Sequence, residues 1–285
     1  MGVELLIIGF TNLDVNEFPD GSRTTEIGGA GYFAASAAAA ARGTCRLVTR
    51  IGADLIFDSL AGRFEGPGIV VMRDVPTARS LQIYHDLSDL TRRTVRLEQG
   101  VAQYLCPDDI PAGWCDEATH IHIGTMPPAQ QARFLDALDR KIGARGARRQ
   151  LVSIDSDHYL MGDPANLSLI RANFGRCDIA FLNRVERELL ADAIAEIPMV
   201  VLKKDREGAE LLRFGRVAAG AAAASVEVRD VTGAGDVLAG IFLSGLARGA
   251  TAQAALDAAV KAATFSVTQR GIDHLFDHPA MVAVG

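Results

Sequence analysis

Residues 230–236 read Asp230-Val231-Thr232-Gly233-Ala234-Gly235-Asp236, a turn of mostly small residues between two regular segments. A strand-like run at 225–228 precedes the turn, and an apolar run at 237–247 with amphipathic helical spacing follows it. The two glycines allow a tight turn and leave successive backbone N–H groups uncovered where the helix begins. The sequence therefore predicts an anion-binding site at residues 233–235.

Asp236 is the acidic group next to this predicted site. The exposed amides could stabilise charge that builds on a transferred phosphoryl group, while Asp236 orients and deprotonates an attacking hydroxyl. The helix N-terminus favours the ionised carboxylate, so we expect Asp236 to be a weak base. The structural alternative is a glycine turn followed by an aspartate that caps the helix.

Strands and helices alternate along much of the chain, which predicts a mostly parallel sheet with helices on both faces. In such sheets ligands bind beyond the carboxyl ends of the strands. The strand-like runs are 5–8, 120–123, 151–154, 179–182 and 199–202, and the helical patterns are 31–41, 129–142, 167–174 and 184–195.

Two stretches, about 11–27 and 70–103, depart from this alternation. The second contains alternating residues typical of antiparallel strands. We expect both stretches to form a small β lid on one α/β domain that spans residues 1–285. If the lid strands expose their edges, a homodimer could form by pairing them.

The composition of the 285 residues favours a small-molecule ligand. The chain has 29 basic and 35 acidic residues, a net charge of -6 and no basic cluster, which argues against a nucleic-acid or membrane partner. The four cysteines are far apart and the N-terminus lacks a basic leader, so we expect reduced thiols and a cytoplasmic protein.

The stretch 230–240, Asp-Val-Thr-Gly-Ala-Gly-Asp-Val-Leu-Ala-Gly, resembles the C-terminal signature of the ribokinase-like (PfkB) carbohydrate kinase family. The resemblance covers almost the whole chain. It implies a ribokinase-like fold, with Gly233, Ala234 and Gly235 as the anion hole and Asp236 as the catalytic base. It also implies ATP and Mg²⁺ as cofactors.

Segments near the N-terminus are similar to the family's substrate-binding motifs. Asn12 and Asp14 lie where the family's first strand and turn bind substrate hydroxyls. Gly28 and Gly29 match its paired glycines, which pass close to the sugar. The resemblance therefore implies that these four residues bind the acceptor.

Residues 183–186, Asn-Arg-Val-Glu, are similar to the family's Asn-x-x-Glu motif. The resemblance implies that Asn183 binds nucleotide and that Glu186 holds Mg²⁺ through water. Taken alone, the same spacing is a capping box at a helix start, and the two roles can coexist.

Further segments resemble the nucleotide-binding segments of the family. The resemblance implies nucleotide contacts for five positions in all. Besides Asn183 these are Lys203, Thr232, Ala263 and Ser266. At Asp205 the family usually has a glycine. We therefore expect the backbone contact with phosphate to differ at that loop.

Departures from the ribokinase pattern are concentrated at the sugar end. Ala30 and Phe33 replace a lysine and an asparagine, which makes the pocket more apolar and argues against ribose as the substrate. Arg92 and Arg93 are either lid contacts or solvated charges.

Three polar residues on predicted strands have both a functional and a structural interpretation. Asp155 ends a predicted strand, where it either binds substrate or has a structural role. His120 and His122 share a strand face without a third metal ligand nearby, so we expect them to be structural.

We expect transfer of the ATP γ-phosphoryl group to a hydroxyl of a small sugar or polyol. The alternatives are a nucleoside kinase of the same fold and a sugar or nucleoside sensor without turnover. A dehydrogenase is disfavoured, because no Gly-x-Gly-x-x-Gly follows the first strand.

Overall fold

The computed structural model describes residues 4–55, 60, 62–86 and 93–284. Within them the strands are β1 (Leu5–Ile8), β2 (Asn12–Glu17), β3 (Arg23–Gly28), β4 (Cys45–Gly52), β5 (Ile69–Met72), β6 (Ala78–Tyr84), β7 (Arg93–Glu98), β8 (His120–Ile123), β9 (Leu151–Asp155), β10 (Ile179–Leu182), β11 (Met199–Lys203), β12 (Ala209–Arg213) and β13 (Arg216–Ala221). The helices are α1 (Ala30–Ala40), α2 (Trp114–Glu117), α3 (Pro128–Ile142), α4 (Pro164–Phe174), α5 (Arg184–Leu190), α6 (Ala234–Ala247), α7 (Ala252–Ser266), α8 (His274–Asp277) and α9 (Pro279–Val282).

Nine strands form the main sheet in the order β13-β12-β11-β10-β9-β8-β1-β4-β5. The seven strands from β11 to β5 are parallel, and β12 and β13 form an antiparallel hairpin at one edge. The predicted α/β fold is therefore confirmed.

Helices cover both faces of this sheet because its central strands are apolar on both sides. In β1, Leu5 and Ile7 belong to the core under α1, α6 and α7, whereas Leu6 and Ile8 belong to the core under α3 and α4. The predicted helix at 237–247 is present, but the prediction that it is amphipathic is wrong. Residues 237–245 are all buried, because α6 lies between α1, α7 and the sheet.

Four strands form a second sheet in the order β3-β2-β6-β7. Its strands lie within the ranges 11–27 and 70–103 that were expected to form a lid, apart from Gly28 at the end of β3. Two details differ from the expectation. Residues 69–72 form β5, which pairs in parallel with β4 in the main sheet, and β2 pairs in parallel with β6.

The expected strand at 225–228 is wrong. The ladder of β13 ends at Ala221, opposite Ala209, and the described part of the chain has no strand that pairs with the residues that follow. The amides of Arg229 and Asp230 instead donate to the carbonyl of Val267 at the end of α7.

The helix expected at 184–195 is shorter than predicted. The α-helix α5 ends at Leu190, because Ala191 adopts a φ of 32°, and a 3₁₀ segment continues to Glu196.

The contact between α1 and α6 generates a stability prediction. A Cβ atom at Gly240 would lie 2.1 Å from the carbonyl oxygen of Ala34. We expect Gly240→Val to force the helices apart and to lower the free energy of unfolding by about 3 kcal/mol in a denaturant titration. Gly162, whose Cβ position is open, is the control, and Gly162→Val should cost much less. Equal effects of the two substitutions would contradict this close packing.

Candidate active site

Three of the predicted site residues lie at the carboxyl edge of the main sheet. Asp155 is the last residue of β9, Lys203 is the last residue of β11, and Asn183 directly follows β10. Because these three strands are adjacent and parallel, their ends meet at one place.

An ion pair between Lys203 and Asp155 crosses over the end of β10. The Lys203 Nζ atom donates to Asp155 Oδ1 at 3.0 Å and to Oδ2 at 2.9 Å. Both side chains are mostly buried. The sequence-based assignments separated them, with Lys203 on the nucleotide and Asp155 on the acceptor, and no local pattern indicated that they are partners.

Asn183 and Glu186 form the capping box that the sequence allowed. Asn183 Oδ1 accepts from the Glu186 amide at 2.9 Å, and Glu186 Oε2 accepts from the Asn183 amide at 2.7 Å. The structural interpretation of this motif is therefore confirmed. Its roles towards nucleotide and Mg²⁺ stay predictions.

The glycine turn opens the first turn of α6. Gly233 has a φ of 74°, and a Cβ atom there would lie 2.4 Å from the ring of Phe33, so this position excludes a side chain. In the described chain, no hydrogen bond occupies the amides of Gly233 and Gly235. Residues 232–236 are partly exposed, so the turn is not enclosed in the core.

Asp236 differs from the expectation of a weak base. Although it keeps some solvent contact, burial and the nearby Asp155 carboxylate raise its pKa to about 7, and Lys203 offsets this only in part. The helix N-terminus was expected to favour the charged form, but desolvation outweighs it. Asp236 is therefore a stronger base than an exposed aspartate.

Glu186 and Lys203 belong to the same electrostatic cluster. Burial raises the pKa of Glu186 to about 7, with Lys203 opposing and Asp155 adding to the rise. Burial alone would lower the pKa of Lys203, but the attraction of Asp155 and Glu186 outweighs it and the net shift is upward. One ammonium group thus faces three carboxylates, those of Asp155, Glu186 and Asp236.

The expected acceptor residues lie beside this cluster. The carboxylate of Asp14 fills the space above Gly28, where a Cβ atom would lie 1.8 Å from its Oδ2 atom. Gly29 has a φ of 99° and precedes α1, and Phe33 in the first turn of α1 contacts Gly233. The first turns of α1 and α6 are therefore neighbours.

Two polar residues of the second sheet face the site and were not predicted from the sequence. Gln82 on β6 lies 3.4 Å from the hydroxyl of Thr232, next to the glycine turn. Asn16 lies directly across from Gln82 on β2. The alternation of Asn12, Asp14 and Asn16 along one strand face was the signal that could have indicated them.

Two of the expected nucleotide-side residues, Ala263 and Ser266, lie on α7, and Asp205 lies in the loop after β11. The Ser266 hydroxyl donates to the carbonyl of Ala263 within α7. Asp205 has a φ of 52°, a left-handed conformation typical of glycine, where the family usually has glycine. The nucleotide contacts expected for this region stay predictions.

The two histidines of β8 are in structural environments. The pKa of His120 is lowered to about 4 and that of His122 to about 3, mainly by burial. His122 hydrogen-bonds Ser153 at 2.9 Å. Arg92 and the side chain of Arg93 lie outside the described residues.

A metal ion would need more than protein ligands here. In the described ranges, no group of three or more His, Cys, Asp or Glu side chains is arranged to hold one. Mg²⁺ commonly binds through water, one or two carboxylates and substrate phosphates. The buried carboxylate of Glu186 fits that mode.

Residues 4–278 match the family model described as pfkB family carbohydrate kinase. The chain belongs to the PfkB family. It is therefore a kinase, a phosphotransferase with an alcohol acceptor, and kinases of this family use ATP with Mg²⁺. The resemblance inferred from the sequence is confirmed.

A similar curated protein is a cytidine kinase from Thermococcus kodakarensis, 30% identical over 266 residues that cover 87% of this chain and 90% of that protein. A nucleoside kinase from Burkholderia thailandensis, solved with inosine, has a TM-score of 0.80 at 16% identity and covers 98% of this chain and 96% of its own. A putative ribokinase II from E. coli, solved with ATP and Mg²⁺, has a TM-score of 0.78 at 16% identity, with 98% and 99% covered. These solved structures confirm the ribokinase-like fold.

None of the helices in the described ranges combines the length and apolarity needed to cross a membrane.

The raised pKa of Asp236 predicts a pH-dependent stability difference. An acid whose pKa is higher in the folded state contributes stability at low pH, and loses it as pH rises from its ordinary 3.8 to about 7. The substitution Asp236→Asn should therefore raise Tm at pH 8 and increase the free energy of unfolding by about 2–4 kcal/mol. The gain should vanish towards pH 4. Exposed Asp277 is the control, and Asp277→Asn should change Tm little at either pH. A gain independent of pH would contradict this.

The ion pair predicts strong coupling between its partners. Lys203→Met leaves the Asp155 carboxylate buried without its cation and should cost about 3–5 kcal/mol in a denaturant titration. The double variant Asp155→Asn/Lys203→Met should recover most of that loss. Additive losses would show that the two side chains do not stabilise each other.

Proposed function

We propose that this chain transfers the γ-phosphoryl group of ATP to a ribose hydroxyl of a nucleoside, with Asp236 as the general base. The observation that carries the proposal is the contact between Phe33 in α1 and Gly233 before α6. It brings the Asp14–Gly28 region next to the glycine turn and Asp236. A hydroxyl held by Asp14 would thus lie close to both the base and the anion-binding amides.

Asp236 receives the proton of the attacking hydroxyl in this mechanism. A pKa of about 7 keeps a substantial fraction ionised at neutral pH and makes the carboxylate more basic than an exposed one. Phosphoryl transfer has a loose transition state, so the position of the hydroxyl matters more than the strength of the base.

The amides of Gly233, Ala234 and Gly235 stabilise the charge that develops during transfer. They lie at the positive end of α6, where the amides of Gly233 and Gly235 make no hydrogen bond within the described chain and the Ala234 amide makes only a long contact of 3.4 Å with the carbonyl of Val231. Lys203 adds a full positive charge beside Gly235, since its Nζ lies 3.4 Å from where a Cβ atom of that glycine would be.

ATP with Mg²⁺ supplies the phosphoryl group and neutralises phosphate charge. Glu186 would hold the metal through water, with Asn183 and Thr232 on the phosphate side. Ala263 and Ser266 on α7 would flank the adenine. The excess of carboxylates over ammonium groups in the cluster supports a site completed by a divalent cation.

The nucleoside acceptor is supported by the cytidine kinase relative, which matches this chain along most of its length. Ala30 and Phe33 support it too, because they replace the polar pair of true ribokinases. A small sugar or polyol, the acceptor expected first, would use the same catalytic groups. An ADP-release assay with cytidine, adenosine, inosine, ribose, fructose and inositol compares these acceptors, and activity with the sugars alone would overturn the nucleoside assignment.

We further propose that the second sheet acts as a lid over the acceptor, and that a homodimer could form through it. The edge strand β7 exposes Val95 and Leu97, the latter to 68%, which supports pairing with a second copy.

Removal of the base tests the catalytic assignment. Asp236→Asn should lower kcat by roughly 10²–10⁴-fold, because no carboxylate remains to accept the proton. ATP affinity measured by calorimetry should change little. Asp277→Asn should keep full activity, and an unchanged kcat for Asp236→Asn would remove the assignment.

The pH profile provides an independent test. In the wild type, kcat/KM for the acceptor should fall on the acid side with an apparent pKa near 7, because protonated Asp236 cannot accept a proton. An acid limb near pH 4 would mean that Asp236 behaves as an exposed carboxyl.

A further inference from the structure

One face of the second sheet carries a row of buried polar side chains. On β2 and just after it, Asn12, Asp14, Asn16 and Phe18 alternate with residues of the opposite face. The same alternation on β6 buries Ser80, Gln82 and Tyr84. Because side chains repeat every second residue along a strand, the two sets share one surface.

That surface faces the catalytic turn. Gln82 reaches to within 3.4 Å of the Thr232 hydroxyl, and Asp14 lies over Gly28. Asn16 is paired in register with Gln82. The amide groups of Asn16 and Gln82 are therefore neighbours on the side of the sheet that would cover the acceptor.

Asn16 has a buried oxygen without a partner. Asn16 is 4% exposed, and its Oδ1 atom makes no hydrogen bond to any group of the described chain. Its Nδ2 atom has a long contact of 3.4 Å to Thr24. Buried polar atoms are rarely left unpaired, because the loss of water costs free energy that only a new hydrogen bond restores.

The length of the row exceeds one sugar ring. Asn16 lies four positions after Asn12 on the strand, which is a distance of about 13 Å at the usual rise. Asn12 and Asp14 lie nearest Gly28 and would hold the hydroxyls. Asn16 lies one step further from them, where a group attached to the sugar would extend.

An aromatic pair closes the outer end of the row. Phe18 stacks on Tyr84 with ring centroids 5.2 Å apart, and the Arg270 guanidinium lies 4.4 Å from the Phe18 centroid. A polar edge followed by an aromatic wall suits a flat heterocycle with hydrogen-bonding groups on its rim.

We propose that Asn16 and Gln82 form a subsite for the nucleobase of the acceptor, and that Asn16 Oδ1 accepts a hydrogen bond from an exocyclic amino group. The proposal rests on the nucleoside kinase function above. An oxygen that accepts a hydrogen bond distinguishes bases by their exocyclic group. Cytosine and adenine carry an amino donor there, whereas uracil carries a carbonyl acceptor. Nucleosides whose base carries this amino group are therefore the preferred acceptors of the phosphoryl group.

The test compares kcat/KM for cytidine, uridine and ribose in the wild type, Asn16→Leu and Asn16→Asp. We expect the wild type to prefer cytidine to uridine by at least tenfold. Asn16→Leu should lower kcat/KM for cytidine by roughly 10–100-fold, since the hydrogen bond is lost, and should leave the value for ribose unchanged. Asn16→Asp keeps the acceptor oxygens and should retain the preference for cytidine.

Stability and binding measurements separate this role from a structural one. Asn16→Leu should fold with an unchanged or higher Tm, because it removes an unpaired buried polar group. Its cytidine-induced Tm shift should be smaller than that of the wild type. Gln82→Leu should likewise reduce the cytidine-induced Tm shift.

The outcomes distinguish this inference from the proposed function. Nucleoside phosphorylation that Asn16→Leu leaves intact, or an equal loss for cytidine and ribose, would overturn the base subsite alone. Phosphorylation of sugars without any nucleoside activity would overturn both.

Discussion

The candidate site depends on the burial of acidic side chains around one lysine at the carboxyl edge of the main sheet. The ammonium group of Lys203 faces the buried carboxylates of Asp155 and Glu186 and the partly exposed carboxylate of Asp236. Burial, to which the neighbouring Asp155 carboxylate adds, raises the pKa values of Glu186 and Asp236 to about 7, and Lys203 opposes the rise only in part. The same burial makes Asp236 more basic than an exposed aspartate, which links the cost of burying charge to the proposed catalysis.

Helix packing determines where the acceptor meets this charge cluster. The helices α1 and α6 approach closely because Gly240 has no side chain against Ala34, and their first turns meet where Phe33 contacts Gly233. Phe33 thus packs against the turn that is proposed to bind the anion. A change of one side chain at this contact alters both the acceptor pocket and the geometry of the amides.

Local patterns predicted much of the fold and part of the site. The apolar strands, the capping box at Asn183 and the glycine turn at 233–235 are short-range features, and the structure contains them all. The partnership of Lys203 with Asp155 was not predictable, because it joins residues 48 positions apart across an intervening strand. The pKa of Asp236 was predicted in the wrong direction, since a sequence reveals the helix dipole but not the desolvation around it. The strand expected at 225–228 failed because β propensity needs a neighbouring strand to pair with.

The pKa of Asp236 in the nucleotide-free protein is the most direct test of this charge cluster. Carbon-detected NMR can follow the aspartate side-chain carboxyl signals through a pH titration, with Asp236→Asn to assign the resonance. The cluster predicts a midpoint near 7. A midpoint close to 3.8 would show that Asp236 is solvated and independent of Asp155 and Lys203, and would contradict the mechanism built on it.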